Sequence, residues 1–155
     1  MGNVMRDIDV NIIADIISEM CVTINYELSE DMKRALKKAR ETESSSFGKK
    51  ILDILDQNMK IAKADRIPIC QDTGMAVMFL EVGQEVHFSG GSIEEAVNEG
   101  VRRGYREGCL RKSVVSDPLI RENTNDNTPA VIHYDIVPGE QVKIMFSPKG
   151  FGSEN

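Results

Sequence analysis

The sequence predicts an α+β fold in which N-terminal helices pack on a small mixed or antiparallel sheet of about four strands. Apolar residues recur at three- and four-residue spacing over most of the first 64 residues and again over residues 92–108, as expected for helices. Short runs rich in Val, Ile and aromatic residues follow them, as expected for strands. At 155 residues, with 41% hydrophobic and 28% charged residues, the chain is expected to form a single domain.

Four helices follow from the apolar spacing. The first runs from Ile8 to Ile24, and its isoleucine stripe is typical of a core face, with an interface as the alternative. The second is expected to open at Ser29 as its N-cap and to run to Arg40. The third and fourth cover residues 47–64 and 92–108.

Four segments have the composition of strands: residues 75–81, 85–88, 130–137 and 141–146. The first two are predicted to form a hairpin-like pair. The last two are predicted to form an antiparallel hairpin through the turn at Pro138-Gly139.

Charge and hydropathy exclude two classes of partner. A net charge of −6 leaves no basic face for nucleic acid, and the basic cluster in the second helix is interpreted as a solvated helix face (Lys33, Arg34, Lys37, Lys38 and Arg40). No apolar run approaches the roughly 20 residues of a membrane span, and the N-terminus is acidic. We therefore expect a cytoplasmic protein without a membrane partner.

The cysteines and histidines give no disulfide framework and no zinc motif. Cys21, Cys70 and Cys109 are widely separated and odd in number, and Cys21 is expected to be a core residue. His87 and His133 fall inside predicted strands and are interpreted as ordinary half-buried strand residues.

The candidate site is the segment 68–74, where Cys70, Gln71, Asp72 and Thr73 stand in consecutive positions between a helix and a strand. A simple turn or a buried strand would use other residue types. Cys70 could act as a nucleophile or as a metal ligand. A nucleophile lacks an obvious base here, so metal ligation with Asp72 as a nearby acid or base is the better chemical interpretation.

A second candidate functional segment is the polar loop 116–129, which carries far more hydrogen-bonding groups than a connection requires. We expect it to be ordered.

These segments together resemble the alpha part of the class I, iron–sulfur fumarate hydratases and of the related L(+)-tartrate dehydratases. The resemblance runs from about Ile8 to the last residue. Its motifs, in order, are Pro68-Ile69-Cys70-Gln71-Asp72-Thr73-Gly74, Leu110-Arg111, Asp117-Pro118-Leu119, Asn123-Thr124, Asn127-Thr128-Pro129-Ala130 and Lys149-Gly150-Phe151-Gly152-Ser153-Glu154-Asn155.

The resemblance implies a hydro-lyase that hydrates fumarate to malate at a 4Fe-4S cluster whose open iron acts as a Lewis acid. It implies a dicarboxylate substrate, a beta subunit as partner and an oligomeric complete enzyme. The alternatives are an L(+)-tartrate dehydratase alpha subunit and a non-catalytic docking module derived from this family.

Carried over residue by residue, the resemblance makes Cys70 a cluster ligand and Asp72 the catalytic residue. Gln71, Asp72, Arg111 and Gly152 become substrate-binding residues. Arginine suits a carboxylate because its planar fork can donate two parallel hydrogen bonds. Thr73, Asn127 and Thr128 are expected to support this site.

Two departures from the family pattern stand out. Asn125 replaces a usual glycine and is expected to keep the turn by adopting a left-handed conformation. The other two cluster cysteines would lie beyond Asn155, so residues 1–155 are expected to be the N-terminal portion of such an alpha subunit, inactive in isolation.

Overall fold

The computed structural model describes residues 5–152. This part of the chain contains four helices and five strands, which confirms the α+β class. In chain order they are β1 (Arg6–Asp9), α1 (Val10–Tyr26), α2 (Glu30–Thr42), α3 (Ser46–Asp65), β2 (Met75–Gly83), β3 (Val86–Ser89), α4 (Ile93–Glu107), β4 (Val131–Val137) and β5 (Val142–Lys149).

Strand β2 is the centre of a mixed three-stranded sheet in the order β4-β2-β5. It pairs in parallel with β4 and antiparallel with β5, so Leu80 stands opposite both Tyr134 and Ile144. The predicted β4–β5 hairpin is therefore wrong, because β2 lies between the two strands. The predicted β2–β3 pairing is also wrong, because β3 pairs in parallel with β1.

The start of the first helix differs from the sequence prediction. Helix α1 begins at Val10, where Asp9 caps it by accepting a hydrogen bond from the Asn11 N–H at 2.9 Å. Ile8 belongs instead to β1, opposite Phe88 of β3. Its apolar side chain packs against the core from a strand.

The main core lies between one face of the three-stranded sheet and helices α1 and α4. Ile17, Cys21 and Tyr105 are completely buried there, which confirms Cys21 as a core residue. The two helices approach closely because α4 carries Gly104, where a Cβ would lie 2.6 Å from the Cys21 Cβ. The isoleucine stripe of α1 only partly faces this core, since Ile12 and Ile16 are exposed.

Helices α2 and α3 pack on one another beside this core. Helix α2 has no buried residue, so its basic cluster lies on a solvated surface as predicted. Ser29 stands at the N-cap of α2, but its side chain makes no capping hydrogen bond. None of the helices in residues 5–152 has the length and the apolar character that a membrane crossing requires.

Both histidines lie in strands, as predicted, but both are exposed rather than half-buried. His87 of β3 bonds through Nδ1 to the Asp7 carboxylate at 2.7 Å, and His133 of β4 stacks on Phe79 with ring centroids 4.9 Å apart.

Candidate active site

The segment 68–74 connects α3 to β2, and hydrogen bonds from its backbone hold it in place. The Ile69 N–H donates to the Asn25 carbonyl at 2.8 Å, and the Ile69 carbonyl accepts from Asn58 Nδ2 at 2.9 Å. Directly after this anchor, Cys70 and Gln71 are exposed. The anchor therefore fixes the backbone while the polar side chains remain accessible.

Asp72 joins the candidate segment to the end of β5. Its Oδ2 accepts hydrogen bonds from the N–H groups of Gly152 at 2.7 Å and Phe151 at 2.9 Å, and its Oδ1 accepts from the Gly74 N–H at 3.2 Å. The Gly152 bond is the largest cause that lowers the Asp72 pKa; the other two bonds and the positive charge of Arg111 add to it and outweigh partial desolvation. Asp72 is thus held as a carboxylate.

Gly74 makes the close approach of β2 and β5 possible. Its φ is +65°, and a Cβ at this position would lie 2.3 Å from the Lys149 carbonyl oxygen. A glycine satisfies both constraints, since it has no Cβ and adopts positive φ at little cost. The start of β2 and the end of β5 consequently meet beside Asp72.

Arg111 lies next to the same segment. Its Nη1 donates to Oε1 of the exposed Gln71 at 2.9 Å, and its backbone carbonyl accepts a hydrogen bond from Thr73 Oγ1 at 3.1 Å. The predicted substrate-binding residues Gln71, Asp72, Arg111 and Gly152 therefore come together on one surface, although Asp72 and Gly152 are 80 positions apart in the sequence.

The polar loop 116–129 is ordered by its own side chains, as predicted. Asp117 Oδ1 accepts from two backbone N–H groups, and Asn123 Oδ1 accepts from the Asn125 N–H at 2.7 Å. Asn125 has a φ of +64°, the left-handed conformation expected of it. The loop ends in a cis peptide bond between Thr128 and Pro129.

Asn127 connects this loop to the candidate segment. It is completely buried, donates from Nδ2 to the Gly74 carbonyl at 3.1 Å and accepts at Oδ1 from the Ser113 N–H at 2.7 Å. Thr128 instead bonds to Oδ1 of Asp126 through its N–H and its hydroxyl. Of the three residues expected to support the site, Thr73 and Asn127 contact its segments directly, while Thr128 contacts the loop.

Comparison with known proteins identifies the family to which these segments belong. The family model described as fumarate hydratase (Fumerase) matches residues 14–155. This chain belongs to the fumarate hydratase family. The match contains the whole candidate site, from Cys70 to Gly152.

Individual relatives in the fumarate hydratase family carry two kinds of name. The chain is 38% identical over 149 residues to the "Putative L(+)-tartrate dehydratase subunit alpha" of Methanocaldococcus jannaschii, an alignment that covers 92% of this chain and 52% of the relative. It is 39% identical over 101 residues to "Fumarate hydratase class I, anaerobic" of Escherichia coli K12, covering 64% of this chain and 18% of the relative. It is 29% identical over 147 residues to "L(+)-tartrate dehydratase subunit alpha" of Escherichia coli UTI89, covering 92% and 48%.

This chain covers a larger share of the relatives named as tartrate dehydratase alpha subunits than of the relative named as fumarate hydratase. The chain spans about half the length of the tartrate dehydratase alpha subunits and about a fifth of the fumarate hydratase.

For a member of the fumarate hydratase family, the cysteines decide what this part of the chain could contribute to an iron–sulfur cluster. Cys70 is exposed, and its Sγ accepts a hydrogen bond from the Asp72 N–H at 3.5 Å. Hydrogen bonds to sulfur are typical of cysteines that hold such clusters. Cys21 is buried, and no group of three His, Cys, Asp or Glu residues within 5–152 could hold a metal ion. Cys70 and Cys109 are therefore the thiols of this region that a metal could reach, and the described residues do not supply a complete set of ligands.

Sequence reasoning missed the role of Tyr105 beside this site. Tyr105 lies on the buried face of α4, where its apolar neighbours give no indication of a polar partner. Its hydroxyl donates to the Thr73 carbonyl at 2.8 Å and to the Gly74 carbonyl at 3.2 Å. A buried tyrosine hydroxyl requires a hydrogen-bond partner, and that requirement was the available signal.

Proposed function

We propose that this chain is the N-terminal portion of the alpha subunit of a cytoplasmic hydro-lyase that reversibly hydrates fumarate to malate at a 4Fe-4S cluster. The observation that carries the proposal is the convergence of Gln71, Asp72, Arg111 and Gly152 beside the exposed thiol of Cys70. The remaining cluster cysteines and the beta subunit would come from outside these 155 residues, and the complete enzyme is expected to be an oligomer.

Cys70 is the residue of this chain that would hold the cluster. When bound, the cluster supplies a Lewis acid that makes the substrate hydroxyl a better leaving group. The N–H of Asp72 donates to the Cys70 sulfur, a contact that orients the side chain at the exposed surface of the segment.

Arg111 is proposed to bind one carboxylate of the substrate. It is exposed, and its guanidinium can donate two parallel hydrogen bonds to a carboxylate. Gln71 lies within hydrogen-bonding distance of Arg111 and is proposed to orient both the guanidinium and the substrate.

Asp72 is proposed to transfer the proton at the carbon that does not carry the hydroxyl group. Asp72 is ionised at neutral pH, as a proton acceptor must be, and three backbone N–H groups fix the position of its carboxylate. Gly152 lies against its carboxylate, with only 3.2 Å between the position of a Cβ and Oδ2 of Asp72, so any other residue would crowd the reacting group.

L(+)-tartrate dehydration is the second candidate function. It is favoured by the two relatives named as tartrate dehydratase alpha subunits, each of which aligns with 92% of this chain. Tartrate carries one hydroxyl more than malate, so the choice depends on a polar group that binds or rejects this hydroxyl.

The experiment that tests the proposal joins this chain to the rest of its alpha subunit and its beta subunit, with anaerobic iron–sulfide reconstitution. Hydration of fumarate and dehydration of L-tartrate are measured in parallel. Iron-dependent turnover of fumarate supports the first candidate, and turnover of tartrate alone supports the second. A formed cluster without turnover of either substrate would overturn both and favour a docking module.

A further inference from the structure

One face of helix α4 carries polar side chains that bind the segments around the candidate site. Asn98 Oδ1 accepts from the Ala130 N–H at 2.9 Å, and Arg102 Nε donates to the Asp126 carboxylate at 3.0 Å. Tyr105 follows at the next position on that face. Residues four and then three apart lie on the same side of a helix, so α4 contacts the end of the polar loop and the candidate segment in one row.

The Gly74 carbonyl is the point where two of these contacts meet. It accepts hydrogen bonds from the Tyr105 hydroxyl at 3.2 Å and from Asn127 Nδ2 at 3.1 Å. Both side chains are completely buried, so neither donor could form a replacement hydrogen bond with water if the Gly74 carbonyl moved away. Burial raises the pKa of Tyr105, which keeps its hydroxyl protonated and able to donate.

Asn127 extends this contact to the segment that carries Arg111. Its Oδ1 accepts from the Ser113 N–H at 2.7 Å, two residues beyond Arg111. Thr73 Oγ1 makes a parallel connection by donating to the Arg111 carbonyl at 3.1 Å. The segment with Cys70 and Asp72 and the segment with Arg111 are therefore joined by buried side chains behind their exposed groups.

We propose that Tyr105 and Asn127 are positioning residues that fix the distance between the Cys70–Gly74 segment and Arg111. The catalytic consequence of this inference rests on the proposed function, but the connection between the two segments does not. Neither side chain needs to touch the substrate: their hydrogen bonds end on the Thr73 and Gly74 carbonyls and the Ser113 N–H. Because catalysis depends steeply on geometry, a loosened connection lowers turnover even where the protein remains folded.

The structural part is tested on this chain by residue-resolved amide hydrogen exchange. Tyr105→Phe removes only the hydroxyl, and Asn127→Gly removes the side chain while tolerating the φ of +64° at this position. Tyr26→Phe is the matched control, because the Tyr26 hydroxyl is also buried and also donates to a backbone carbonyl, that of Gly108 at 2.9 Å.

We expect the Gly74 amide to exchange about tenfold faster in Tyr105→Phe, and the Gly74 and Ser113 amides to do so in Asn127→Gly. Neither amide should change in Tyr26→Phe. Alkylation of the buried Cys21 thiol reports global unfolding and should be equally slow in all three variants. Unchanged exchange at Gly74 and Ser113 in the site variants would overturn the proposal.

The catalytic part is tested by introducing the same substitutions into the complete reconstituted enzyme. We expect kcat/KM to fall at least tenfold in Tyr105→Phe, mainly through kcat, while Tyr26→Phe with a comparable loss of thermal stability retains its kcat/KM. Equal losses in both variants would overturn the positioning role. Absence of turnover in the unaltered enzyme would instead overturn the proposed function, and the exchange measurement would still decide whether the two segments are joined as proposed.

Discussion

Arg111 donates a hydrogen bond from Nη1 to Oε1 of Gln71 at 2.9 Å, and both side chains are exposed. In the proposed function, a substrate carboxylate binds the Arg111 guanidinium, either beside the Gln71 amide oxygen or in its place. The hydrogen bond to Gln71 therefore restricts the Arg111 side chain before the substrate binds. This reduces the conformational entropy that the arginine loses on binding.

The first prediction concerns this pair. Arg111→Ala should lower kcat/KM about 10- to 100-fold in the complete enzyme, since a charged hydrogen-bonding partner of the substrate is lost. Arg111→Lys should recover only part of the activity, because an ammonium group cannot donate in the same planar geometry. Steady-state kinetics measure both, with Arg34→Ala on the solvated α2 as the control. An unchanged kcat/KM in Arg111→Ala would contradict the assignment.

The second prediction concerns Cys70. Cys70→Ser should abolish stable cluster binding in the complete enzyme, because a serine hydroxyl is a poor substitute for a thiolate ligand. Iron and acid-labile sulfide are measured after anaerobic reconstitution. Cys109→Ser is the matched control, since Cys109 is also exposed, and it should retain the cluster. Full iron content in the Cys70 variant would show that another residue occupies this ligand position.

The third prediction concerns Asp72. Asp72→Asn should accelerate amide exchange at Phe151 and Gly152, whose N–H groups both donate to Oδ2 of Asp72, and should abolish turnover. Acidification should lower the protection of the same two amides relative to their intrinsic exchange rate at each pH: the lowered pKa means that these bonds persist above the ordinary value of 3.8 and are lost as the pH falls through the lower folded value. Asp135→Asn, an exposed substitution on β4, is the control for the loss of one charge.

The fourth prediction concerns Gly74. Gly74→Ala should destabilise the fold by about 2 kcal/mol or more, because alanine at positive φ is strained and its Cβ would collide with the Lys149 carbonyl. Gly139→Ala separates the two effects: Gly139 also has positive φ, +106°, but a Cβ there would meet no atom of residues 5–152 within 4 Å. Urea unfolding of both variants measures the difference, and equal losses would exclude a collision.

The fifth prediction concerns the buried thiol of Cys21. Burial raises the pKa of Cys21 from an ordinary 9.0 to about 12, so the unfolded chain loses this proton first. The free energy of unfolding should therefore fall as the pH rises from 9 towards 12, by at most about 1.4 kcal/mol per pH unit from this group. Cys21→Ala should reduce that slope in urea unfolding under reducing conditions, and an unchanged slope would contradict the assignment to this thiol.

The sequence predicted the helices well because their apolar spacing is a local property. Helix α4 was placed within a residue of its bounds, and Ser92 caps it, with its hydroxyl accepting from the Glu95 N–H at 3.5 Å. Strand pairing failed because it depends on distant segments. Nothing near β4 in the sequence indicates that β2, rather than β5, is its neighbour.

The candidate site was partly predictable for the same reason. Cys70, Gln71 and Asp72 were found from local composition, while Arg111 and Gly152 required the family resemblance. The hydrogen bonds from Tyr105 could not be predicted, because an apolar ring on the core face of a helix gives no indication of which carbonyl its hydroxyl reaches.

The central position of β2 also sets the order in which this molecule can fold. Helices α1 to α3 and strand β2 leave the ribosome before β4 and β5, so β2 has no partner in its own sheet until the later strands are made. Closing such long loops makes sheet formation a late and slow step. The contact between Asp72 and Gly152 therefore needs the end of β5, so Asp72 gains these two backbone donors only after the last strand has been made.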